Sequence, residues 1–390
     1  MTHPTHRSEI DLLLACALPG SHVNAGVRVR SALNGSLDWS KLGKLAGYHR
    51  VKPLLYKRLA EHADESVPES VMRELAIDFR AGATQNLHLI GELIMLARAF
   101  ALAGIEVLPH KGPLLARIAY GDLALRTFED LDLLVHAADL PQAIAVLSEM
   151  GYRPPPELAW LSPSALLRWT GEMSYSSSRG TSVDLHWRLT PSHYTVQLDP
   201  AILWRSCASI KVAGTELVSL APEALLLLLA VHGAKHCWEA IGWLADVAWL
   251  LDAHADLDWR QVMELAEESH CERPLLLAAS LVQRLFESPV PAWVGEAAQG
   301  DRNVRRLHRR VVTRWYDRPP EPPHSPELYS FATALARRPQ DSLNHLAGLL
   351  LHPTEAEWKT GQVRDGGLRW YLPRRIGRLF RKYVIRTIKS

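Results

Sequence analysis

Three aspartates and a Lys-Gly pair are the residues of this chain whose types and spacing point to chemistry. Asp130 and Asp132 lie two apart in Asp130-Leu-Asp-Leu-Leu-Val135, a run with strand character. Residues two apart in a strand project from one face, so both carboxylates aim at one point while Leu131 and Leu133 turn into a core. Two aligned carboxylates form a hard-oxygen site, the kind that holds magnesium jointly with substrate phosphates. Upstream, His110-Lys-Gly-Pro113 follows the strand-like Ile105-Glu-Val-Leu108 and precedes a short helical run to Tyr120. Gly112 at such a turn lets backbone N–H groups approach a ligand, and the free N–H groups of the helix start favour an anion. Pro113 suits the first helical turn, where no donor is needed. A third acid, Asp184, lies on the second strand of a predicted hairpin, Met173 to Ser178 and Thr181 to His186, which turns at Arg179-Gly180. Asp184 and His186 share one face of that strand, with Val183, Leu185 and Trp187 opposite. If the hairpin pairs beside the Asp-x-Asp strand, three carboxylates converge. Such carboxylates repel one another in a partly dry cleft, and divalent cations remove that penalty.

Those residues need elements to position them. From Ser8 to about Asp78, apolar residues such as Ile10, Leu13, Leu42 and Leu45 recur at helical spacing. His49-Arg-Val-Lys-Pro53 and the following Lys57-Arg58 read as a solvated basic helix face, with substrate contact as the alternative. A long amphipathic helix is predicted from Thr84 to Leu102, with Gly104 at its C-cap, and another from about Asp139 to Met150. Leu198 to Trp204 has helical spacing, and Ala208 to Ser219 forms a second hairpin turning at Ala213-Gly214. Pro222-Glu223 opens a helix through the leucine run Ala224 to Val231. Beyond it, His232, Lys235, His236, Glu239 and Asp246 fall near one face at helical spacing. Three readings of that face stand side by side: a contact surface for nucleotide or acceptor, a solvated or interdomain polar face, or a zinc site of His232 and His236 with Glu239. Gly233 stands where a metalloprotease helix carries its glutamate. Trp259 to Phe286 is again helical, Arg302 to Arg310 is a basic helix, and Asp317 to Pro326 is a proline-rich connector. The tail from Arg374 to Lys389 alternates basic residues with Ile376, Leu379, Phe380 and Val384. Its apolar face docks on the protein, or the tail contacts an anionic membrane, acidic peptide or RNA.

Composition narrows the class. The 390 residues are 47% hydrophobic and 22% charged, enough for a sizeable core and two or three domains. The net charge of +2 creates no global field that singles out nucleic acid or an acidic surface. Cys16, Cys207, Cys237 and Cys271 are scattered and form no Cys-x-x-Cys pair, which argues against a disulfide framework and a cysteine zinc site. Nothing near Met1 reads as a secretion leader, and the longest apolar run falls well short of the roughly 20 residues that span a bilayer. The expected compartment is a reducing cytoplasm.

The ordered set Lys111-Gly-Pro113, Tyr120-Gly-Asp122, Leu125-Arg126, Asp130-Leu-Asp132, Val183-Asp184-Leu-His186-Trp187, Val231-His-Gly-Ala-Lys-His236 and Trp243-Leu-Ala-Asp246 resembles a bacterial uncharacterised nucleotidyltransferase family of the DNA polymerase beta-like superfamily. The resemblance covers roughly residues 85 to 250. It implies an α+β fold: a small mixed sheet flanked by helices, with N-terminal and C-terminal helical regions. The corresponding division is a helical region at 1–83, a catalytic domain at 84–220 and a helical domain at 221–390. It implies Asp130 and Asp132 as metal ligands, Asp184 as the third carboxylate, and Mg2+, with Mn2+ as the alternative ion. The expected reaction moves a nucleoside monophosphate from an NTP to an acceptor, whether peptide, small molecule, protein side chain or RNA end. Lys111, Gly112, Arg126, Lys235 and His236 are the candidate nucleotide or phosphate contacts; for Arg126, a loop-ordering salt bridge is the other reading. One departure stands out: many members carry Gly-Ser or Gly-Gly where this chain has Lys111-Gly112. Lys111 either replaces the serine contact with charge or serves structure, which keeps a second class in view, a non-catalytic scaffold that binds a nucleotide or a partner.

Overall fold

A computed structural model describes residues 7–62, 66–318 and 320–353, together with Glu357, Arg375 and Gly377. The chain opens with four short helices, α1 (Arg7–Cys16), α2 (Ala25–Leu33), α3 (Trp39–Tyr48) and α4 (Lys52–His62). Asp38 caps α3 by accepting from the Lys41 N–H, and Leu42, Leu45 and Ala46 turn inward at helical spacing. The long helix α5 (Glu69–Leu102) starts well before the predicted Thr84. Neither Gly82 nor Thr84 stops it, because a single weak former costs only about 1 kcal/mol and helix stability is cooperative; the break comes at Pro68.

After α5 the chain builds a sheet from β1 (Val107–Pro109), β2 (Asp130–Val135), β3 (Tyr152–Arg153), β4 (Glu172–Ser177) and β5 (Ser182–His186). Among them lie α6 (Gly112–Leu115), α7 (Leu140–Glu149) and α8 (Pro163–Trp169). The strand order is β1-β2-β5-β4-β3, with β2 and β5 parallel and the other neighbours antiparallel. The register sets Asp132 opposite Asp184 on β5, and Asp184 opposite Ser174 on β4. Alternation then separates the two faces. Leu131, Leu133, Val183, Leu185, Met173 and Tyr175 enter a core completed by Leu89, Leu93 and Phe100 of α5 and Leu147 of α7. The aspartates occupy the other face.

The helix α9 (Pro200–Arg205) leads to the predicted second hairpin, β6 (Cys207–Val212) and β7 (Thr215–Leu220). Among the described residues up to 353, eight helices follow: α10 (Pro222–Lys235), α11 (Ile241–Ala253), α12 (Trp259–Glu268), α13 (Glu272–Leu285), α14 (Ala292–Gly300), α15 (Arg302–Asp317), α16 (Ser325–Leu335) and α17 (Pro339–Leu351). Every residue from Ala224 to Val231 is buried, so α10 is apolar all round and packs centrally. A second core joins the two ends of the chain, bringing Ile10, Leu42 and Leu55 together with Leu227, Leu244 and Leu277. The mixed sheet and its flanking helices form the predicted α+β architecture. No helix among the described residues is long and apolar enough to cross a membrane.

Other local expectations differ too, beginning with the helix expected from Trp259 to Phe286, which breaks between Glu268 and Glu272. The helix carrying His232 ends at Lys235, and Cys237 and Trp238 take positive φ angles of 54° and 52°. The helical face predicted to continue through Glu239 therefore breaks. The basic face near Arg50 is not uniformly solvated either: Arg58 is buried and donates to the carbonyls of Leu18 and Pro19. The basic tail from Arg374 to Lys389 lies outside the described residues, apart from Arg375 and Gly377.

Candidate functional site

The polar face of the sheet forms the floor of a cavity of about 230 Å³. All eight predicted site residues line it: Asp130, Asp132, Asp184, Lys111, Gly112, Arg126, Lys235 and His236. They come from five places, Arg126 from the loop ahead of β2. Asp130 and Asp132 stand on β2 and Asp184 on β5, while Lys111 caps α6 and Gly112 opens it, just after β1. Gly112 has φ +52°, a backbone state that favours glycine, and an added Cβ would stand 3.4 Å from the Asp130 carbonyl. The C-terminal end of α10 supplies His232, Lys235 and His236 as the opposite wall.

Arg50 also lines the cavity, in keeping with the substrate-contact alternative for its segment rather than with a solvated face. It sits at φ +58° in the turn between α3 and α4. That turn is tied to the start of α11 by the Gly242 N–H donating to the His49 carbonyl at 2.9 Å. Glu172 on β4 is a further lining residue that the sequence reading passed over. Its place becomes visible only once register sets it opposite His186. Arg126 is held differently from a free phosphate ligand. Its Nε and Nη2 donate to the Asp246 carboxylate at 2.7 and 3.0 Å, and Tyr120 donates to the same acid at 2.8 Å. Asp246 thus reaches the site from α11 as the partner of Arg126, while Glu239 lines a separate small pocket beside Tyr48 and Arg314. The proposed zinc grouping of His232, His236 and Glu239 does not converge.

Charges alternate across the cavity. Lys111 Nζ lies 2.7 Å from Asp132 Oδ1, and His186 Nε2 lies 3.3 Å from the same oxygen. The other nitrogen of His186 is 3.1 Å from Glu172, which Lys235 approaches at 3.7 Å. Burial alone would raise the Asp132 carboxyl, yet Lys111 and the His186 hydrogen bond hold it well below the usual aspartate range. Burial would likewise discharge His186, but its hydrogen bonds to Asp132 and Glu172 outweigh that and raise it to about 9. Asp130 goes the opposite way. Burial, then the charges of Asp132 and Asp184, push it up to about 6. His110 and His236, each lowered to about 3 chiefly by burial, are neutral at pH 7.

The donor chemistry fits a divalent cation: acidic oxygens share one face, and the Asp130 carboxyl lacks enough positive charge nearby to keep its ordinary value. Among the described residues, the grouping whose ligand atoms lie within 4.8 Å of one another is His110, Asp132 and His186. Asp132 is thus common to the predicted carboxylate set and to this nitrogen-rich one. Neither histidine was predicted as a ligand, although His186 shares a strand face with Asp184.

A family model described as uncharacterised nucleotidyltransferase matches residues 35–287. No curated protein and no solved structure matches the chain. The match reaches beyond residues 85–250 on both sides and takes in α3, where the turn to Arg50 begins. The chain belongs to this family of the DNA polymerase beta-like superfamily.

Proposed function

We propose that the protein, as a member of that family, is a metal-dependent nucleotidyltransferase that moves an NMP from an NTP to an acceptor and releases pyrophosphate. The observation that supports this most is the placement of Asp130, Asp132 and Asp184 on one sheet face, in one cavity with Lys111 and Lys235. Asp130, Asp132 and Asp184 would hold Mg2+ or Mn2+, which when bound neutralises the triphosphate and acidifies the acceptor. Lys111, the Gly112 N–H and Lys235 offer cationic or N–H contacts to phosphate oxygens, and the His186 imidazolium adds a third charge. Asp184 is the base that takes the acceptor's proton as its oxygen or nitrogen bonds to the α-phosphorus. The bond from that phosphorus to the bridging oxygen breaks, and pyrophosphate leaves. Arg126 acts through Asp246, fixing the loop ahead of β2. Residues 84–220 are the catalytic unit in this reading, with the C-terminal helices from residue 221 closing the cleft.

The test is incubation with each labelled NTP, Mg2+ and a cell lysate, followed by mass spectrometry of labelled species. Wild-type protein should label an acceptor and Asp132→Asn should not; equal labelling by both would overturn the metal assignment.

A second reading has its own support. Lys111 Nζ already neutralises Asp132 at 2.7 Å, as a metal ion would, which suits a scaffold that binds nucleotide without chemistry. Calorimetry separates the two. Mg2+-dependent NTP binding with no transfer to any acceptor would favour the scaffold.

A further inference from the structure

A second and larger cavity, of about 470 Å³, lies on the far side of Glu172. Glu172 lines both cavities, so the charged cleft and this one share a wall. The volume falls within the usual range for a small-molecule site, roughly 300–1,000 Å³. Leu158, Trp169, Met173 and Tyr329 make its surface largely apolar. The floor depends on a close approach of two segments: the Trp187 and Arg188 N–H groups both donate to the Gly171 carbonyl at 3.0 Å. A Cβ on Gly171 would stand 3.0 Å from the Arg188 Cβ, tighter than backbones normally allow.

Polar groups interrupt this apolar wall, among them Glu172, His193, His352 and Arg375. Thr190 is 2% exposed, and its Oγ1 is buried with no hydrogen-bond partner in the structure. That hydroxyl lies beneath the wall and is closed off from the cavity, so it costs about 1–3 kcal/mol without offering a contact to a ligand. Arg188, half-buried in the wall, makes no ion pair among the described residues, although guanidinium groups this enclosed are ordinarily paired. The apolar lining and Arg188 specify a ligand with an apolar body and an anionic end.

We propose that this cavity binds the acceptor: a small molecule with an aromatic or branched apolar body and a carboxylate set against Arg188, its nucleophilic group directed past Glu172 into the charged cleft. This rests on the nucleotidyl-transfer reading, and it narrows the acceptor to a carboxylate-bearing small molecule. The nucleophile's proton passes to Asp184 and the new bond forms at the α-phosphorus, so the overall step stays that of the first site.

The probe is 4-fluorophenylacetate, observed by 19F NMR, with 4-fluorobenzyl alcohol as its uncharged counterpart. The carboxylate should bind the full-length protein at millimolar concentration or better, and more tightly than the alcohol. Leu158→Trp, which fills the cavity, and Arg188→Ala, which removes the charge from a half-exposed side chain without touching the core, should each weaken it about tenfold or more. Saturating probe should also suppress labelling in the lysate assay. No binding at about 10 mM, binding indifferent to both variants, or labelling unaffected by saturating probe would each overturn the proposal. Asp132→Asn distinguishes the two claims, because it should transfer nothing yet bind the probe like wild type. Probe binding without transfer by the wild type counts against the nucleotidyl-transfer reading alone; probe indifference to Leu158→Trp and Arg188→Ala counts against this one alone.

Discussion

A buried carboxylate and a half-buried one, on opposite sides of one sheet, have opposite fates. Glu92 of α5 lies on the apolar side and is 2% exposed. Arg179 donates to it twice, at 2.8 and 2.9 Å, and the Tyr152 hydroxyl donates at 2.7 Å. Burial alone would raise its carboxyl, but Arg179 and Tyr152 outweigh that and hold it below the ordinary value of 4.5. Asp130, on the polar side, is raised to about 6 by burial and by its acidic neighbours. A charge that serves the fold arrives with its partners. A charge left short of partners beside a cavity marks a place where something else is meant to bind.

The sharpest way to break this contrast is Asp132→Asn on the polar side. It should lower transfer by about 10³-fold or more, on the order of 4 kcal/mol in transition-state stabilisation. The variant should stay folded with a lower thermal midpoint, because Lys111 and His186 lose the carboxylate that they hold ionised. A large fall in the midpoint with transfer retained would assign Asp132 to the fold instead.

Leu133→Ala, one residue along the same strand, should do the reverse. Leu133 is 1% exposed in the core between the sheet and α5, so truncation should cost about 2–5 kcal/mol in denaturant titration. Transfer per folded molecule should hardly change.

Titration separates the sides with smaller effects, read as metal-free stability against pH. Asp130 binds its proton more tightly folded than unfolded, so stability should fall as pH rises from about 4 to about 6. Asp130→Asn should flatten that window; an unchanged slope would remove Asp130 as its source. Glu92 has the opposite sign. Its folded value is depressed, so its contribution is present above the ordinary value of 4.5 and disappears as pH falls through the folded value. Glu92→Gln should lose this acid-side dependence, and wild-type-like acid unfolding of the variant would show that the pairing contributes little.

Much of the site was legible because it is local. The two-residue period of a strand put Asp130 with Asp132 and Asp184 with His186 before any fold was known, and the hairpin turn at Arg179-Gly180 placed the third acid. Glu172 was not legible, and Arg50 was legible only as the alternative to a solvated face. Glu172 joins the cleft through strand register, and Arg50 through a turn anchored by a hydrogen bond from Gly242, nearly 200 residues away. Arg126 was recognised, but its partner was not, since Asp246 arrives on α11 after the break at Cys237 and Trp238 that helical periodicity could not reveal.

By itself the sequence determined the elements, the alternation that separates acids from leucines, and the order of motifs that carries the family. Those properties follow from short-range sterics and from side-chain chemistry along one segment. Only tertiary structure decided that Lys111 meets Asp132, that His110 and His186 flank the same carboxylate, and that Glu172 stands between a charged cleft and an apolar one. Each of those relations joins segments distant along the chain. Their spacing is set by strand pairing and core packing, which no local pattern encodes.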